Sequence, residues 1–299
     1  MADKPLFDER TLRKLERLTI LANQVRAGAI KGERRSTKRG TSIEFADYRP
    51  YTRGDDLRRV DWNIYARLER PFIKLHEDEE DLAVHLILDA SASMDWPRTG
   101  ERDQHKYLYA RRLVAGLAYI ALGGGDQVTI ATVRGDGMAL WGPWRGRGRM
   151  LDLLGWLQNS YTRGRVRLDD ALSDYARRMA RAGVCIVVSD LMSPEGYEDG
   201  LRALQGRGHE LTLIQVLSPD EVDPPLAGDL KLVDVETGMA QDVTVDEAMK
   251  RLYVQRLQAW QAEIGSLCAR RGIHFVPVVT STPWEQVILT QLRRARVVQ

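Results

Sequence analysis

Cysteine is nearly absent from this sequence: Cys185 and Cys268 are the two in 299 residues. Two unclustered cysteines make neither a disulfide framework nor a zinc site, and a reducing compartment is the simplest setting for them. Long apolar runs are absent too. No stretch approaches the roughly 18 apolar residues that a membrane-spanning helix needs. The opening Met1-Ala2-Asp3-Lys4-Pro5 has no apolar core of a signal peptide, so a soluble cytoplasmic protein is expected. An excess of charge of one sign is also missing. The formal net charge is +2, which gives no reason to expect bulk binding to nucleic acid or to a membrane surface.

Enzyme signatures are missing as well. There is no Gly-x-Ser-x-Gly elbow and no Walker A sequence. Gly146-x-Gly148 lacks the third glycine of a dinucleotide fingerprint, and the five histidines are scattered without zinc-ligand spacing.

What remains is an ordinary globular composition, 43% hydrophobic and 29% charged, long enough for one large domain or two modest ones. Near-continuous apolar runs occur at Leu82–Leu88, Gln127–Val133, Val184–Val188, Leu211–Leu217 and Ile273–Val279. Such runs suit strands buried on both faces of a parallel sheet. Helical patterns separate them, at about 103–122, 147–158, 168–181, 197–205 and 246–271. The last is expected to start with a capping box at Thr244–Glu247 and to stop at Gly272. The alternation predicts an α/β fold, doubly wound around a mostly parallel sheet, with helices on both faces. Residues 81–295 form this domain.

Two regions stand outside the alternation. Residues 1–80 combine a helix over 8–28, on which Leu12, Leu15, Leu18, Ala22 and Val25 recur, with a basic stretch at 31–40 and two extended segments, Ile43–Tyr48 and Pro71–His76. Residues 218–245 interrupt the later part. Pro219, Pro224 and Pro225 exclude regular structure at its start, and Lys231–Glu236 with Gln241–Val245 flank Thr237-Gly238 as a hairpin. Trp141–Arg149 reads equally as a binding loop or as a turn that packs its tryptophans on the core.

The candidate site lies at the end of the first buried run. Asp89-Ala90-Ser91-Ala92-Ser93 puts a carboxylate and two hydroxyls, spaced by two, on one tight loop. Hard oxygens of this kind suit Mg²⁺ or another divalent cation. The same residues also suit capping of a following turn. A second carboxylate, Asp190, ends the run Val187-Val188-Ser189, and adjacent parallel strands would bring Asp89 and Asp190 together. Two carboxylates so placed leave a metal-dependent hydrolase as an alternative. An aspartate phosphatase of the haloacid dehalogenase type is unsupported, because its second aspartate is Ser91 here. Nucleic-acid binding through 31–40 is the remaining alternative, with an exposed solvated loop the more ordinary reading.

Asp-x-Ser-x-Ser after a first strand, with an aspartate closing a later one, resembles the metal-ion-dependent adhesion site of von Willebrand factor A domains. The segments Ile43–Tyr51 and Gly54–Trp62, with Ala66-Arg67 and the hairpin Val233–Gly238, resemble the DUF58 family. That resemblance spans roughly residues 30–280. It implies a vWA-like domain whose metal set is Asp89, Ser91, Ser93 and Asp190, completed by an acidic side chain from a partner. It further implies a non-enzymatic adaptor that acts with a MoxR-type AAA+ ATPase in chaperone-like assembly. The adhesion pattern also expects a threonine at the position of Val166, which has no oxygen to offer, and Arg165 and Arg167 flank it. Ser160 and Thr162 are the nearby substitutes. Divalent metal is therefore expected to bind weakly or not at all.

Overall fold

The computed structural model describes residues 13–22, 45–52, 60–76, 82–99, 102–179, 181–234 and 238–299. The basic stretch 31–40, all of Gly54–Arg59 and the hairpin turn at Glu236-Thr237 lie outside them. The chain divides into two units, Ile30–Asp81 and the remainder.

In the smaller unit, strand β1 (Phe45–Pro50) pairs antiparallel with β2 (Phe72–His76), and helix α1 (Trp62–Leu68) lies between them in sequence. Both expected extended segments are therefore strands over their described residues, Ile43 and Glu44 lying outside them. Helix α1 starts where the Asp61 carboxylate accepts the Ile64 N–H at 3.2 Å, satisfying a donor that a helix start leaves open.

In the larger unit, the elements follow as β3 (Ala83–Asp89), α2 (Lys106–Gly123), β4 (Gln127–Arg134), β5 (Gly137–Trp144), α3 (Met150–Gln158), α4 (Leu168–Arg178), β6 (Val184–Ser189), α5 (Glu198–Gly206), β7 (Glu210–Leu217), the single turn α6 (Pro219–Val222), β8 (Gly228–Val233), β9 (Ala240–Val245), α7 (Glu247–Arg271) and β10 (His274–Val279). Six of the strands make one sheet in the order β10-β7-β6-β3-β4-β5. All neighbours are parallel except β5, which runs antiparallel on the β4 edge.

The apolar runs cause this. In β3, Val84, Leu86 and Leu88 enter the core under α2 and α3, while Ile87 enters the core under α4, α5 and α7. A strand with apolar side chains on both faces must be covered on both, and helices do so. Each fully buried aliphatic side chain contributes about 1.5–3 kcal/mol relative to exposure. The expected doubly wound α/β architecture is what the chain adopts.

Several local expectations fail. The helix over 8–28 is not continuous: residues 13–15 are helical, but Ile20 pairs antiparallel with Val298. Thr19 and Gln299 exchange two backbone hydrogen bonds of 3.0 and 3.1 Å. Leu15 and Leu18 keep helical spacing, whereas Leu18, Ile20 and Ala22 are buried at a period of two. A tertiary partner thus overrides the helical pattern. Trp141–Arg149 is only in part the core-packed turn expected. Trp141 is buried on β5 opposite Ile130, and Trp144 ends that strand exposed, with the Arg149 guanidinium 4.3 Å above its ring. Pro219 does not exclude helix. It opens α6, because a proline at a first helical position removes a donor the helix could not use. The capping box at Thr244 is absent too. Asp246 caps α7 by accepting the Met249 N–H at 2.7 Å, while Thr244 sits on β9 and donates to Asp229 at 2.6 Å. The stop at Gly272 is as expected, with φ 67°.

Candidate functional site

The sheet order fixes where a ligand can sit. From β3 the chain crosses to β4 on one side and later returns to β6 on the other. The switch point of the sheet therefore lies between β3 and β6, and ligands of open α/β sheets bind beyond the strand ends at such a point. Asp89 ends β3 and Asp190 follows β6 directly.

The two strand ends are bonded to each other. Ser189 donates its hydroxyl to Asp89 Oδ2 at 2.6 Å, and its oxygen accepts the Leu191 N–H at 2.9 Å. The Ser91 N–H donates to Asp89 Oδ1 at 2.9 Å, and the Ser91 and Ser93 hydroxyl oxygens are 3.0 Å apart. Asp89, Ser91 and Asp190 are buried. Burial, and then the nearby Asp190 carboxylate, push the Asp89 carboxyl up to about 6. Leu191 holds the left-handed conformation, φ 64°, a strained state for a branched side chain that tends to occur where a loop is shaped for function.

A third charged residue completes the group, and sequence reasoning missed it. Lys106 is fully buried. Its ammonium donates to Asp190 Oδ2 at 2.7 Å and to Glu221 Oε1 at 2.6 Å. Burial alone would lower its pKa, but the two carboxylates outweigh that and hold it above the ordinary lysine value. The second oxygen of Asp190 accepts the Met192 N–H at 3.0 Å, and that of Glu221 accepts the Ser218 N–H at 2.8 Å. One signal was available in the sequence: a cation at the first position of a long helix opposes the helix dipole and needs a local reason.

The loop expected to bring a threonine is in place. Gly164 accepts the Ala92 N–H, and Ala90 accepts the Arg163 N–H, both at 2.8 Å. Val166 points into the core with Leu168 and Leu172. Ser160 is taken elsewhere: it donates to the Leu157 carbonyl and accepts the Tyr107 hydroxyl at 2.7 Å. Arg165 pairs with Glu195 and Arg167 with Asp170. Thr162 lines a neighbouring cleft of about 500 Å³, together with Asp95, Arg98, Arg102, His105 and Tyr161.

These donors fit a divalent ion only in part. The spacing of the two serine oxygens matches adjacent ligands about 2.1 Å from an octahedral Mg²⁺. The rest does not fit. Both oxygens of Asp89 and both of Asp190 already accept hydrogen bonds, one of them from a buried ammonium, and Val166 contributes none. Among the described residues no cluster of three or more His, Cys, Asp or Glu side chains is placed to hold a metal ion. None of the described helices is long and apolar enough to cross a membrane.

Known proteins resemble this chain at two levels. Uncharacterised proteins of Mycobacterium bovis and Mycobacterium tuberculosis are each 26% identical over 280 residues, covering 93% of this chain and 87% of theirs. Among solved structures, an aerotolerance-related membrane protein from Bacteroides fragilis matches 71% of this chain and 99% of its own at 18% identity and a TM-score of 0.42. The conserved hypothetical protein BatB from Bacteroides thetaiotaomicron matches 72% and 98% at 15% identity and a TM-score of 0.40. Residues 47–263 match the family model described as protein of unknown function DUF58, a span that holds β2 and most of β1, the Asp89–Ser93 loop, Lys106 and Asp190, and the chain belongs to that family.

Proposed function

We propose that this chain is a non-enzymatic protein-interaction module, and that its binding face is the group of loops beyond β3 and β6. One observation carries the reading: Asp89, Ser91, Ser93 and Asp190 gather at the switch point of the sheet. Three loops at that end also leave large side chains exposed, Trp96, Tyr161 and Met192. Aromatic residues and methionine are enriched at protein interfaces. The adjacent cleft, lined by Arg98 and Arg102, suits an acidic segment of a partner.

The partner we assign is a MoxR-type AAA+ ATPase, in keeping with the DUF58 resemblance, and the compartment is reducing, in keeping with two unpaired buried cysteines. A hydrolase is the weaker reading. Both carboxylates it would use accept hydrogen bonds from internal donors, Asp89 from Ser189 and Asp190 from Lys106, which weakens either as a nucleophile.

Binding of the purified chain to such an ATPase, measured by biolayer interferometry, tests the reading. Tyr161→Ala and Met192→Ala are expected to weaken it by about tenfold or more. Equal binding by wild type and both variants would sink the proposal, as would Mn²⁺-dependent phosphatase turnover that Asp89→Ala abolishes.

A further inference from the structure

We propose that the Lys106 ammonium is the resident cation of this site, standing on Asp190 and Glu221 in the role a divalent ion plays in an adhesion site, so that the loop binds its partner without metal. The inference rests on the reading of the loop as a binding face, and concerns what holds that face in shape.

Three observations converge. Lys106 has no exposed surface, and its nitrogen lies 2.7 Å from Asp190 and 2.6 Å from Glu221. A buried ammonium persists only where carboxylates surround it, and here two do. Each of those carboxylates has its other oxygen on a backbone N–H, so neither has an oxygen without a partner. The threonine that would share the load of a hard cation is replaced by Val166, which is packed in the core. A divalent ion on Asp190 would have to share that carboxylate with a fixed positive charge and would be repelled by it.

The arrangement also explains why Lys106 opens a helix against the dipole. As the first residue of α2 it follows the Asp89–Ser93 loop closely in the chain, and its own N–H donates to the Trp96 carbonyl at 2.7 Å. The lysine therefore ties together the loop after β3, the residue after β6 and the turn α6. A metal ion ties the ligand loops of its site in the same way.

Titration of the isolated chain with Mn²⁺, followed by the electron paramagnetic resonance signal of free Mn²⁺, tests this without any partner. The readout is the part of binding that Ser91→Ala removes. Wild type is expected to show none into the millimolar range. Lys106→Met is expected to gain Ser91-dependent binding, with an affinity at least about tenfold above wild type, as the freed carboxylates take up the ion. Should that variant fail to fold, Lys106→Met combined with Glu221→Gln removes one charge of each sign and serves in its place. Ser91-dependent Mn²⁺ binding by wild type overturns the proposal. So does its absence from the lysine variants, which would reduce Lys106 to a brace. Either result leaves the interaction reading to be judged separately by Tyr161→Ala and Met192→Ala.

Discussion

Ser189 does two tasks with one hydroxyl. It donates to Asp89 and accepts the N–H of the left-handed Leu191. Its loss leaves a buried carboxylate oxygen and a buried N–H without that partner. Ser189→Ala is expected to cost about 1–3 kcal/mol, read as a lower urea midpoint with an unchanged denaturant slope. A cost within experimental error would mean that the two strand ends are held by other contacts. At this scale the sequence was partly legible. Asp89, Ser91, Ser93 and Asp190 announce themselves because polar residues rarely close apolar runs without reason. Lys106 did so only through its place at a helix start, where a cation opposes the dipole, and its two distant partners, Asp190 and Glu221, supply the reason. Val166 was legible as a gap in the pattern. That the gap is filled by core packing required the third dimension.

Helices α4 and α5 pack through a glycine. A Cβ on Gly200 would come within 2.6 Å of Leu172 Cβ and 2.9 Å of the Asp169 carbonyl oxygen. The Gly200 N–H also donates to the Asp169 carboxylate at 2.8 Å. Gly200→Val therefore pushes two helices apart, and a loss of about 1–3 kcal/mol is expected from overpacking, seen as a lower melting temperature by circular dichroism. An unchanged melting temperature would show that the pair can slide. The buried parallel strands were legible as elements because burial on both faces leaves an unbroken apolar run. Strand β5 was not. It carries Gly142 at φ 98° and Pro143, residues that read as loop, and it tolerates them because it is an edge with one neighbour. The N-terminal segment misled for the opposite reason. Its leucines satisfy a helical period, yet the backbone of Ile20 has a strand partner at Val298.

At the scale of the whole molecule, one pH response lies at the end of the sheet opposite the loops. His85 on β3 is buried, with one ring nitrogen 2.7 Å from the Tyr175 hydroxyl and the other 3.1 Å from the Arg181 carbonyl. His209 stands edge-on to it at 4.6 Å between ring centroids. Burial, then the charge of His209, lower the His85 pKa from 6.5 to about 3, and burial lowers that of His209 as well. The unfolded chain then binds more protons than the folded one below pH 6.5, so stability is full above that value and falls as the pH drops toward 3. The slope from His85 is at most about 1.4 kcal/mol per pH unit. Asp89, raised to about 6, works in the opposite direction between its ordinary value and 6. The contribution of His85 is therefore the difference between wild type and His85→Phe. Urea midpoints at neutral pH and at pH about 5 should show wild type losing more on acidification. Parallel losses would remove His85 from the account.

The antiparallel contact of Ile20 with Val298 joins the two sequence ends of the larger unit. On a ribosome the chain emerges in one direction. Ile20 is made before Leu82–Val298, most of the larger unit, and waits for the residue it pairs with. During that interval Leu15, Leu18 and Ile20 lack part of their cover, and the fold can be sealed only once Val298 has left the exit tunnel.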